Sequence, residues 1–194
     1  RKEHFVVSFA GVTGYSQDLD VILEAADRLR DREDIQFLLV GDGVEKERLV
    51  TKSEEMGLSN VIWMPMQPRE RYPEILRASD VSLATLHADV KTPVVPSKIL
   101  SIMAAGRPVV AALDLRGDAP ELIAKARAGT CVEPEESGLL VDAILRLYGE
   151  PDLCRRLGEN GRRYAGEYFS HQAVAERYES IFVNVLDKCE GDQR

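Results

Sequence analysis

The stretch from Thr92 to Ala112 most constrains how this chain can fold. It reads as a loop, a helix, a tight turn and a buried strand. Pro96 fits the position just before a helix or its first residue, and Ser97 suits an N-terminal cap. Ile99, Leu100, Ile102 and Met103 place apolar side chains on successive turns, and Ala104-Ala105 permit close packing. Gly106 suits the left-handed position that closes a helix, with Pro108 just beyond. Val109-Val110-Ala111-Ala112 is a short apolar run of the kind that parallel sheets bury on both faces. A helix starting at Ser97-Lys98 presents free N–H groups, a positive dipole end and a Lys charge, which together suit an anion such as a phosphate. A capped helix with a solvated Lys fits the same residues, because most helix N-termini bind nothing.

The rest of the chain repeats the alternation. Strands are expected at Phe5–Ala10, Ile35–Val40, Asn60–Met64, Val81–Ala84 and Gly129–Val132, besides Val109–Ala112. Helical spacing of apolar residues connects them. Ser16 is placed to cap a helix from about Gln17 to Arg30, and further helices are expected at 44–56 and 70–78. Asp118 is placed to cap another, with Pro120 in its first turn and its end near Ala128. The helix at 135–147 carries Leu139, Leu140, Ala143, Ile144 and Leu147 on one face. Two helices, about Pro151–Phe169 and Gln172–Lys188, close the chain without a strand between them. Strands alternating with helices define a doubly wound, Rossmann-like α/β domain with a mainly parallel six-stranded sheet and two C-terminal helices. The expected organisation is one domain over 1–194, with 150–194 as a helical tail.

Several function classes fall away on composition. A net charge of −8 over 194 residues, without a basic stripe, argues against nucleic-acid binding. Cys131, Cys154 and Cys189 are widely spaced and odd in number, which reads as reduced thiols of a cytoplasmic protein. His4, His87 and His171 are far apart in sequence, so no metal site is expected. No apolar run approaches a membrane span and no signal peptide is visible. The chain enters its first strand directly after Arg1-Lys2-Glu3-His4 and lacks an initiator Met, as a piece cut at a domain boundary would.

Two segments invite a ligand. Gly11-Val12-Thr13-Gly14 turns from a strand towards a helix, a place where backbone can approach a phosphate closely. On two glycines without a third, a tight turn needed only for packing is the favoured reading of this motif. The loop from Leu86 to Val95, with His87, Asp89 and Lys91, is long and mixed in polarity; it is a contact with a ligand or a partner, or a mobile surface loop.

An ordered series of motifs then carries a resemblance. Phe37-Leu38-Leu39-Val40-Gly41-Asp42-Gly43 comes first, followed by Asn60-Val61 and Asp80-Val81. Pro96-Ser97-Lys98-Ile99-Leu100 and Met103-Ala104-Ala105-Gly106-Arg107-Pro108-Val109-Val110-Ala111 come next, and Leu157-Gly158, Gly161-Arg162 and Phe169-Ser170 end the series. From Phe5 to about Val185 the chain resembles the carboxy-terminal half of a family-4 (group 1) retaining glycosyltransferase of the GT-B architecture. The resemblance implies a domain that holds a nucleotide-diphosphate sugar as donor substrate, with no metal or other cofactor. It implies a missing amino-terminal domain that holds the acceptor, so the isolated chain is expected not to transfer sugar. The implied donor-binding residues are Gly11, Gly14, Gly41, Met64, Met66, Pro96, Ser97, Lys98 and Ser101, the base lying near Met64-Pro65-Met66. No catalytic residue is assigned. Glycan biosynthesis, contact of the full-length enzyme with the inner face of a membrane, and self-association through the C-terminal helices are further implications.

The chain also departs from the family. Two glutamates eight positions apart are usual, the later one five residues before the glycine matching Gly106; Pro93 and Ser101 stand there instead. The usual basic pair after the glycine turn is replaced by Tyr15, Ser16, Gln17 and Asp18. Lys98 is then the best remaining cation. A non-catalytic GT-B-like binding or structural module, or a nucleotide-sugar epimerase-like enzyme, is the alternative reading.

Overall fold

The computed structural model describes residues 4–91 and 95–191, with side chains through Asn184. Six strands form one sheet: β1 (Phe5–Val12), β2 (Ile35–Asp42), β3 (Val61–Met64), β4 (Val81–Thr85), β5 (Val109–Ala112) and β6 (Gly129–Val132). Their order is β3-β2-β1-β4-β5-β6, and every pairing is parallel. The order reverses between β1 and β4. In sheets of this kind ligands bind at such a switch point, beyond the carboxyl ends of the strands.

Eight helices connect and flank the strands among the described residues: α1 (Asp20–Arg28), α2 (Lys46–Glu55), α3 (Tyr72–Ala78), α4 (Ser97–Ala104), α5 (Asp118–Ala126), α6 (Ser137–Gly149), α7 (Pro151–Phe169) and α8 (His171–Gly191). Two apolar cores result, one on each face of the sheet. Ile22, Leu23 and Ala26 of α1 and Leu140 and Ile144 of α6 pack with Phe9, Phe37 and Leu83 on one face. Ile99, Ile102 and Met103 of α4 and Ile123 of α5 pack with Val109 and Ala111 on the other. β4 and β5 are buried along their whole length, as an uninterrupted apolar run requires when both faces are covered.

Several expected boundaries move, each for a local reason. β1 and β2 run two residues further than their apolar runs, because Gly11 pairs with Gly41 and Val12 with Asp42. A Cβ on Gly41 would stand 1.9 Å from the Gly11 carbonyl oxygen, so the absence of a side chain there permits the pairing. Ser16 does not cap α1. Tyr15–Gln17 form a 3₁₀ turn instead, and the Asp18 carboxylate accepts the Val21 N–H at 3.3 Å. Pro96, not Ser97, is the N-cap of α4; Ser97 is its first residue and makes no side-chain cap. Gly117 likewise precedes α5, which begins with Asp118. Leu139 is 44% exposed and lies outside the buried face of α6.

α4 ends as its sequence suggests. Gly106 has φ +73°, its N–H reaches the Met103 carbonyl, and the Arg107 N–H reaches that of Ile102. This is a Schellman closure. The glycines in Leu157-Gly158-x-x-Gly161 serve the same contact from α7. A Cβ on Gly158 would lie 2.2 Å from the Gly106 carbonyl oxygen, and one on Gly161 3.1 Å from the Ala128 Cβ. That motif therefore reads as close helix packing.

The C-terminal helices leave an apolar face uncovered among the described residues. Tyr164 packs against the core, but Tyr168, Phe169, Tyr178, Ile181 and Phe182 are exposed. The Val185 side chain lies outside the described residues. No helix among the described residues is long and apolar enough to cross a membrane.

Candidate functional site

The carboxyl ends of β1, β2 and β4 meet the start of α4 at the switch point. Gly11 has φ +150°, and a Cβ built on it would lie 3.5 Å from Lys98 Nζ. The backbone conformation thus favours glycine there, while an added Cβ would make only an ordinary contact with the Lys98 side chain. Gly14 differs: its backbone is extended, and an added Cβ would meet only a Val12 methyl at 3.8 Å. Its open front is room for a ligand to approach.

Lys98 is not the solvated residue that one reading of the sequence allowed. Its Nζ donates to Gln17 Oε1 at 2.5 Å and sits 3.6 Å from the centroid of the buried Phe9 ring. Desolvation pushes its pKa down to about 7. This partner is a neutral amide, and no carboxylate among the described residues is in direct contact with the Lys98 Nζ. An anion entering from the cleft would supply a counter-charge.

A second cation, Lys46, was missed at the sequence level. Its Nζ donates to the Gly41 carbonyl at 2.7 Å and approaches that of Met64 at 3.5 Å. It thereby ties the ends of β2 and β3 together at the place expected for a base. Met64 is half-buried there and Met66 is 44% exposed. Lys46 had no signal in the sequence, since it opens a helix of mixed charge. Thr13 was missed for a similar reason: it is buried behind Gly43, and its hydroxyl has no hydrogen-bond partner among the described residues.

Ser101 points away from this group. Its hydroxyl reaches the Ser97 carbonyl at 3.4 Å, and its side chain lines a groove of about 410 Å³ with Tyr72, Arg77 and Arg162. Pro93 lies outside the described residues. Ser97 is exposed and Pro96 half-buried at the mouth of α4.

The β4–α4 loop is fastened to the turn after β1. The Thr85 hydroxyl donates to the Gln17 carbonyl, and the His87 N–H donates to that of Ser16 at 3.1 Å. The loop before α6 joins them. Glu135 accepts the Ala88 N–H at 3.1 Å and lies 3.3 Å from His87 Nδ1. Beneath them sits Asp18, 3% exposed, with φ +29° and a carboxyl pKa raised chiefly by burial. Sequence spacing between histidines could not anticipate this cluster, because its other members are carboxylates from distant loops. The Cys154 thiol donates to the Asp80 carbonyl at 3.5 Å, and burial pushes the Cys131 thiol up to about 11.

The all-parallel, Rossmann-like sheet in the order 3-2-1-4-5-6, with helices on both faces, matches the fold of GT-B glycosyltransferases. The chain belongs to the family described as glycosyl transferases group 1, whose sequence profile matches residues 1–164. It is 33% identical over 140 residues to the provisionally assigned colanic acid biosynthesis glycosyl transferase WcaI of Escherichia coli, covering 72% of this chain and 34% of that protein. It is 28% identical over 197 residues to the MMP alpha-(1->4)-mannosyltransferase of Mycolicibacterium hassiacum, covering 96% of this chain and 44% of the other. Among solved structures, sucrose-phosphate synthase from Thermosynechococcus elongatus superposes with a TM-score of 0.82 at 21% identity, over 97% of this chain and 47% of that one. Anabaena HepE, crystallised in complex with UDP-glucose, superposes with a TM-score of 0.76 at 22% identity, over 91% and 49%. The chain thus spans less than half the length of each of these proteins.

Proposed function

We propose that this chain is the donor-binding half of a retaining glycosyltransferase, and that it holds the diphosphate of a nucleotide sugar between the Gly11–Gly14 segment and the start of α4. The observation that carries the reading is Lys98, whose Nζ is held 3.5 Å from where a Gly11 Cβ would be, without a counter-charge in direct contact. A diphosphate leaving group develops charge as its bond to the sugar breaks, and a fixed cation with free helix N–H groups stabilises that charge. Lys46, with the ends of β2 and β3, borders the region where the base would lie. Relatives about twice as long support an acceptor-holding domain outside this chain, so the 194 residues alone bind donor without transferring sugar.

One observation favours a second reading. The position of the later of the family's two usual glutamates holds Ser101, whose hydroxyl turns back to its own helix. A domain that keeps the fold and binds nucleotide without turnover fits that loss.

Titration of the wild type and Lys98→Met with uridine and guanosine diphosphates, and with the bare nucleosides, tests the donor reading. A charge-assisted hydrogen bond contributes on the order of 1.5–3 kcal/mol, or roughly tenfold to a hundredfold in affinity. The diphosphate should lose that much in the variant and the nucleoside almost nothing. Equal diphosphate affinities for the two proteins would refute it.

A further inference from the structure

Asp18, His87 and Glu135 come from the loops after β1, β4 and β6. One ligating atom of each lies within 4.8 Å of those of the other two. The 3.3 Å between His87 Nδ1 and Glu135 Oε1 suits a hydrogen bond. It equally suits two ligands of one tetrahedral ion with bonds of about 2.0–2.1 Å, whose edge is roughly 3.3–3.4 Å.

Asp18 decides between these accounts. It is 3% exposed, and its Oδ1 accepts the Val21 N–H. Its Oδ2 is buried and has no hydrogen-bond partner among the described residues. A buried carboxylate oxygen left unpaired is costly, and native proteins rarely keep one without a reason. The charged groups acting on it are His87, Glu135 and Asp20. Asp20 is already occupied by Arg48 and Lys52. A His87–Glu135 pair alone would leave Asp18 facing a second carboxylate with no cation assigned to it.

We propose that Asp18, His87 and Glu135 form a binding site for a divalent transition-metal cation of the Zn²⁺ type. Three protein ligands leave a fourth position open, and the exposed His87 and Glu135 side chains leave that position on the solvent side. An imidazole with two carboxylates suits Zn²⁺ and its neighbours; Mg²⁺ prefers an octahedron of oxygens. The frame exists before an ion arrives. The His87 N–H is bonded to the Ser16 carbonyl, and the Ala88 N–H to Glu135 Oε1, so the three loops are already fastened together. The site does not depend on nucleotide binding, and it departs from the expectation, drawn from histidine spacing, that the chain holds no metal.

Calorimetric titration of the 194-residue chain with Zn²⁺ and with Mg²⁺ tests it. The expected result is one Zn²⁺ site that Mg²⁺ does not fill. His87→Ala and Glu135→Gln should each weaken it by at least about tenfold, and His171→Ala should leave it unchanged. Both altered side chains are exposed, so folding is spared. Asp18→Asn keeps the Val21 hydrogen bond and should weaken binding likewise, provided its thermal melt remains cooperative. Zn²⁺ affinity unchanged in both His87→Ala and Glu135→Gln would overturn the assignment, as would the absence of a site tighter than about 1 mM or equal binding of Mg²⁺.

Discussion

Lys98 holds its ammonium 3.6 Å from the centroid of the Phe9 ring, and Phe9 is fully buried. The ring attracts a cation, but burial disfavours the charge more strongly and pushes the pKa from 10.5 down to about 7. The folded value is thus below the unfolded one. Between about pH 7 and 10.5 the unfolded chain binds a proton that the native chain does not. Stability from this group is therefore fully present above the unfolded value and lost as pH falls towards 7. Lys98→Met has no such dependence. At pH 7 the variant should be more stable than wild type in urea, and the gap should narrow steadily towards pH 10. A gap that is constant with pH would count against a desolvated Lys98.

The same lysine links donor binding to proton uptake. A diphosphate beside Nζ favours the charged form, so nucleoside diphosphate binding at pH 8 should take up a fraction of a proton. Titrations in two buffers of different ionisation enthalpy measure that uptake. It should vanish in Lys98→Met; uptake that persists in the variant would assign the proton to another group.

The two cleft glycines beside β2 should respond differently to a methyl group. Gly41→Ala would drive a Cβ to 1.9 Å from the Gly11 carbonyl oxygen, backbone that cannot swing aside. It should destabilise the domain by about 3 kcal/mol, at the upper end of overpacking. Gly14→Ala meets only a Val12 methyl at ordinary contact distance and should change stability by no more than about 0.5 kcal/mol. A nucleoside diphosphate should nevertheless bind the Gly14 variant more weakly. Thermal melts and a titration of both variants check the pair, and similar stability losses for the two would contradict the register of β1 on β2.

The layout of the fold was legible because its signal is local. Val109–Ala112 and Phe37–Val40 are apolar runs bounded by glycine or proline, and the helices between them carry their own periodicity. The ends of β1 and β2 were not legible. Each apolar run stops at a glycine, Gly11 or Gly41, and only the cross-strand pairing of Gly11 with Gly41 and of Val12 with Asp42 carries the strands past it. The candidate site divides in the same way. Gly11, Gly41 and Lys98 could be named from motifs, since a positive φ, a close approach and a helix start each leave a residue signature. Lys46, Thr13 and the Asp18–His87–Glu135 group could not, because nothing in the chain announces which loops meet above the sheet. Ser101 was named by its register in a family pattern, and its side chain faces α3 and α7.

Two glycines of α7 offer an internal control. Gly158 abuts the Gly106 carbonyl, whereas an added Cβ on Gly166 meets nothing within 4 Å. Gly158→Ala should force α7 away from α4 and cost about 1–3 kcal/mol. Gly166→Ala should instead stabilise by about 0.5–1 kcal/mol, the difference in helix propensity. Denaturant midpoints measured on the two variants give opposite signs if α7 seats on α4 as described, and the same sign if it does not.

Asp20 opens α1 and receives Arg48 at 2.6 Å and Lys52 at 2.5 Å from α2. The Arg48 hydrogen bond is the main reason its carboxyl falls from 3.8 to about 2. The helix dipole at the start of α1 acts in the same direction. A folded value below the unfolded one means that the stabilisation is present above about pH 4 and is lost as pH falls through about 2. Arg48 is 48% exposed, so solvent screens much of the attraction. The contribution is about 1 kcal/mol, less than the shift alone would give. Asp20→Asn should therefore lower stability by about 1 kcal/mol at pH 6, and the deficit should shrink when both proteins are unfolded by urea at pH 2.5. It should also shrink at pH 6 in 1 M salt, where the Debye length falls to about 3 Å. A deficit that survives both acid and salt would mean that Asp20 acts through packing or hydrogen-bond geometry and not through its charge.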